Sequence, residues 1–118
     1  MAANPVGWVE IGGKDPAKLA QFYSEAFGWP MNQAPGMNYH MADMGDPNAV
    51  GVGIGEGGPT GDYVTFYVAV DDPQAYLDKI ERLGGKTVMP VTVIPDMVTM
   101  AMFADPEGHF VGIIKNQM

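Results

Sequence analysis

A chain without a single cysteine forms no disulfide and holds no metal through thiolates. Basic residues are scarce as well: six Lys and Arg against 14 Asp and Glu leave a formal net charge of −8. The six are scattered, whereas phosphate-backbone binding needs them clustered, so nucleic acid is not an expected partner. The acidity suits solubility, and it also suits a preference for cationic or neutral ligands. No apolar run approaches the length of a membrane span. The opening MAANPVG has neither the basic start nor the apolar stretch of a signal peptide, so a cytoplasmic protein without membrane contact is the expectation.

What the chain does have is a repeat. Residues Trp8 to Gly28 read strand, Asp-Pro, helix, Gly, and residues Thr65 to Gly85 read the same way at the same length. Asp15 and Asp72 are placed to cap a helix, with Pro16 and Pro73 at its first position, where a missing N–H costs nothing. Leu19, Phe22, Tyr23 and Ala26 recur at helical spacing and predict one buried stripe, and Tyr76, Leu77, Ile80 and Leu83 predict the second. Gly28 and Gly84-Gly85 terminate the two helices. Strands are predicted over 6–11, 39–44, 49–54, 64–70, 87–89, 98–103 and 110–114. At 118 residues the chain is one domain. It divides into a first module over about 5–56, a linker over about 57–61 and a second module over about 62–116. One helix followed by a run of strands in each half makes the class α+β.

Three stretches in this order, VEIGGKDPAKLAQFYSEAFGW, VAVDDPQAYLDKIERLGGKTVMP and FADPEGHFVGI, resemble the vicinal oxygen chelate superfamily, which holds the glyoxalase, bleomycin-resistance and extradiol dioxygenase proteins. The resemblance implies two tandem βαβββ modules forming curved sheets around a cavity, and a homodimer. It also implies metal-ligand positions: a His opening the first strand of a module and a Glu in the closing strand. Those positions hold Trp8, Thr65 and Gly112, and the remaining slot falls near Gly53 or Gly55, with Glu56 close by. Trp and Gly cannot ligate and a lone Thr is a poor ligand, so neither a metal nor another cofactor is expected. Of the two histidines, His109 follows Asp-Pro-Glu-Gly and reads as a turn former.

Strand alternation, with the superfamily's ligand slot facing the cavity, places Trp8, Glu10, Thr65, Tyr67 and Phe110 inward as the candidate ligand-binding residues. Phe66, Val68 and Val70 then pack under the helix. Glu10, expected among Trp8, Tyr67 and Phe110, is a candidate general base, a partner for a cationic or hydrogen-bonding ligand group, or a structural acceptor for a Tyr hydroxyl or backbone amide. His40 is either an ordinary strand histidine or a second candidate, at the cavity mouth, for proton transfer or ligand recognition. Gly51, Gly53 and Gly55 alternate with Val50, Val52 and Ile54, either enlarging a pocket or allowing close backbone contact or a bulge. The resulting expectation is a metal-free protein that binds a small organic molecule in the cavity, of the sequestration or resistance type. The alternative is an enzyme, cofactor-independent or metal-dependent, of the glyoxalase, dioxygenase or epimerase kind.

Overall fold

Both helices begin as the sequence predicts. Asp15 Oδ1 accepts from the Lys18 N–H and Asp72 Oδ1 from the Ala75 N–H, each at 3.2 Å, and a proline follows each cap. The computed structural model describes residues 3–58 and 61–116. Pro59 and Thr60 of the expected linker, and Met1 and Ala2 of the opening stretch, lie outside the described residues. The first module comprises β1 (Val6–Gly13), α1 (Pro16–Phe27), β2 (Met31–Gln33), β3 (His40–Ala42) and β4 (Gly51–Glu56). The second repeats the plan with β5 (Tyr63–Val70), α2 (Pro73–Arg82), β6 (Lys86–Ile94), β7 (Val98–Ala104) and β8 (Phe110–Lys115). The fold is α+β, a βαβββ unit used twice.

Within each module the strands pair alike. β2, β3 and β4 run antiparallel in that order and β4 lies parallel to β1. In the second, β6, β7 and β8 are antiparallel and β8 lies parallel to β5. Residues 8–65 form one compact unit, and residues 3–7 join 66–116 in the other. The Ala69 N–H donates to the Pro5 carbonyl at 2.8 Å, and Asn4 Nδ2 donates to the Tyr76 hydroxyl at 2.9 Å. In the first module Ile54, Val52, Ala42 and Ala20 are buried where α1 meets β3 and β4. The second module's core is Val70, Leu77, Ala101 and Ile113, with Val68 and Tyr76 packed against it.

Several expectations need correcting. Phe22 is 61 % exposed and Ala26 is exposed too, so the buried face of α1 is Pro16 and Ala20 with Leu19 and Tyr23 beside them. Helical spacing names a stripe but not its edges, and at this one Tyr23 stacks on Trp29, ring centroids 5.9 Å apart, while Phe22 stays outside. Leu83 is 69 % exposed because α2 has already ended, with Gly84 at φ 100 turning the chain away. Phe66 is exposed, although Val68 and Val70 pack inward as expected. Strand β6 runs well past the predicted 87–89, through Pro90, and its pairing with β7 shifts register on either side of Met89. Proline is tolerated there because β6 is an edge strand with bulges.

The two leucines of α2 give a direct check. Leu77→Ala should lower unfolding stability by about 2–5 kcal/mol in a urea titration, through the cavity it leaves. Leu83→Ala should change it by no more than about 0.5 kcal/mol.

Candidate functional site

Strand β1 sets the geometry. Its alternation points Trp8 and Glu10 to one face, and its pairing with β4 sets Trp8 opposite Gly51, Glu10 opposite Gly53 and Gly12 opposite Gly55. The glycines leave that face bare, and aromatic rings cover it. A Cβ built on Gly51 would run into the Trp8 ring, and one on Gly53 would meet the Tyr39 hydroxyl and the Trp8 ring. A Cβ on Gly55 would lie 2.8 Å from Tyr39 Cδ1, and one on Gly12 would meet the Tyr63 ring. The space beside the alternating glycines holds aromatic side chains, which is neither the enlarged pocket nor the close backbone contact or bulge expected of them.

The rings bring their polar tips to one carboxylate. Trp8 Nε1 donates to Tyr39 Oη at 2.9 Å, Tyr39 Oη donates to Glu10 Oε2 at 2.9 Å, and Tyr63 Oη donates to Glu10 Oε1 at 2.7 Å. Burial and then the charge of Glu10 push the Tyr39 hydroxyl well above the ordinary tyrosine value. The Tyr63 hydroxyl is raised by burial first and then by its hydrogen bond to Glu10. Tyr39 and Tyr63 were not singled out by the sequence. Tyr63 carried a signal, since stepping back by two from Thr65 along β5 reaches it, just before the predicted strand start.

The other candidates are placed differently. His40 pairs with Ile54 across β3 and β4, while Met41 pairs with Gly53. Residues directly opposite share a face, so His40 lies on the α1 side of this sheet with Ile54, away from Glu10. Its Nε2 is buried and has no hydrogen-bond partner among the described residues. Glu56 has the parity of Ile54, at the end of β4, and accepts from Asn38 Nδ2 at 3.3 Å. Thr65 is buried at 6 % exposure. In the second module Tyr67, 3 % exposed, lays its ring over Gly112, and Phe110 stands on the same face of β8, partly exposed. His109 closes a turn: the N–H groups of Glu107 and His109 both donate to Asp105 Oδ1 at 2.9 Å. Those bonds, the one from His109 foremost, hold the Asp105 carboxyl below its usual range.

The sequence profile described as the glyoxalase-like domain matches residues 8–114. The chain belongs to this family. It is thereby a member of the vicinal oxygen chelate superfamily that its motifs resemble. The glyoxalase-like chain is 34 % identical over 113 residues to CFP32 of Mycobacterium bovis, which carries a provisional glyoxylase name; the match covers 90 % of this chain and 43 % of that protein. It is 29 % identical over 125 residues to the anthracycline biosynthesis protein DnrV of Streptomyces peucetius, covering 91 % of this chain and 45 % of that one. The chain thus spans less than half the length of these curated relatives. Protein BH1468 of Bacillus halodurans C-125 superposes with a TM-score of 0.72 at 11 % identity, over 99 % of this chain and 97 % of that one. Methylmalonyl-CoA epimerase of Mycobacterium tuberculosis gives 0.68 at 11 % identity, over 100 % and 93 %. At such identities the likeness is one of fold.

The metal that many members of the superfamily hold does not fit the residues of this glyoxalase-like domain. The slot residues offer an indole, a buried hydroxyl and glycines, and rings occupy the space over Gly53 and Gly112 where ligand side chains would project. Among the described residues no group of three His, Cys, Asp or Glu side chains is placed to hold a metal ion.

Two measurements probe the cluster. Gly53→Ala should cost about 1–3 kcal/mol by overpacking, and Tyr39→Phe in the same chain should recover part of that loss because the nearest atom is the hydroxyl oxygen. In an alkaline titration followed by tyrosinate absorbance, Tyr39 and Tyr63 should stay neutral until the chain unfolds. Their folded values lie above the unfolded value of about 10, so the stability they contribute is complete below that pH and falls as pH rises past it. All five tyrosines ionising together near the unfolded value would contradict the cluster.

Proposed function

We propose that this domain binds a small organic molecule without a metal, on the face of the 8–65 unit that carries Trp8, Glu10, Tyr39 and Tyr63, and that it acts by sequestration. The observation that carries this reading is a carboxylate held at both oxygens by phenol hydroxyls and walled by aromatic rings. Apolar, aromatic walls with a few placed polar groups are the usual make-up of a small-molecule site. The name of DnrV supplies one ligand class to try, the anthracyclines, whose planar rings suit aromatic walls. Among the described residues no helix is long and apolar enough to cross a membrane.

A cofactor-independent enzyme is the second reading, favoured by the firm placement of Glu10, as positioning is the first requirement of a general base. That role would rest on Glu10 without His40, which faces the other side of the sheet.

Thermal unfolding against a panel of anthracyclines, cationic aromatic amines and neutral aromatics separates the two. A ligand at a hundredfold its Kd should stabilise the chain by about 2.7 kcal/mol, and should be recovered chemically unchanged. Glu10→Gln should weaken its binding. A product that no longer forms in Glu10→Gln would move the assignment to the enzyme, and a panel without any shift would remove the binding reading.

A further inference from the structure

The hydrogen bonds at Glu10 have a fixed direction. An indole N–H only donates, so Trp8 gives its proton to the Tyr39 oxygen. Tyr39 must then aim its own single proton at Glu10 Oε2, and Tyr63 commits its single proton to Oε1. An ionised carboxylate only accepts. Every phenol proton of the cluster therefore points at Glu10, and neither phenol can donate to a ligand's carbonyl or anionic oxygen without giving up its bond to the carboxylate. What the cluster can offer is acceptors and ring faces. The Tyr63 oxygen receives no hydrogen bond among the described residues, and Tyr63 is partly exposed. The ring faces carry the negative side of the aromatic quadrupole and also favour donors.

We infer that this cluster selects ligands that present a hydrogen-bond donor, an N–H or O–H on an aromatic group received at Tyr63 Oη, because the Glu10 carboxylate holds both phenol protons. The inference rests on the reading that the Glu10 face of the 8–65 unit binds the ligand.

Benzamide and acetophenone test it, sharing a phenyl ring and a carbonyl and differing in an amino group against a methyl. Titrated into the full chain and followed by nitrogen–proton NMR, benzamide should bind about two- to tenfold more tightly, the worth of one net hydrogen bond. In Tyr63→Phe that ratio should fall toward one. Equal affinity of the two probes for the unaltered chain would overturn donor selection while leaving small-molecule binding intact. Binding of neither would overturn both. The ratio in the unaltered chain decides the matter even if a variant fails to fold.

Discussion

A glycine in a strand leaves a gap on one face of the sheet, and in the first module those gaps are filled by rings rather than left as a hollow. Gly51 and Gly53 accommodate Trp8, Gly53 and Gly55 accommodate Tyr39, and Gly12 accommodates Tyr63. Because a ring lying flat on backbone has little freedom to tilt, its polar tip is fixed in place. The three tips converge on Glu10, and the carboxylate is held by packing as much as by hydrogen bonds. Removing ring, glycine or carboxylate disturbs the others.

The architecture was legible in the sequence because its signals are local. Asp-Pro at both helix starts, glycine at both ends and alternating strands are chemistry of a few neighbouring residues, and the repeat made each half confirm the other. The candidate site was legible only in part. The parity of β1 put Trp8 and Glu10 on one face, as they are in the structure, but nothing in a single strand says which face His40 takes, since that depends on register with β4. Tyr39 and His40 are adjacent, so only one of them can share the face of Glu10, and the bare glycines opposite were the clue to which. A run of small residues on one face implies something large to cover it, and that inference needs two strands read together. Phe22 and Leu83 failed for a different reason: helical periodicity does not tell where a helix leaves the core.

The family scaffold brings no single chemistry with it. In this chain rings lie over Gly53 and Gly112, and neutral donors surround one carboxylate, Glu10. The cluster is a polarised hydrogen-bond array, in which direction matters as much as position.

The fit between rings and glycines also bears on how such a site changes over generations. A carboxylate at position 53 would demand the space of the Tyr39 hydroxyl, yet losing Tyr39 strips Glu10 of one partner and Trp8 of its acceptor. A carboxylate at position 112 likewise collides with the Tyr67 ring. A step toward a carboxylate at either position therefore passes through an overcrowded or unpaired intermediate, so a ring and the glycine beneath it change as a pair.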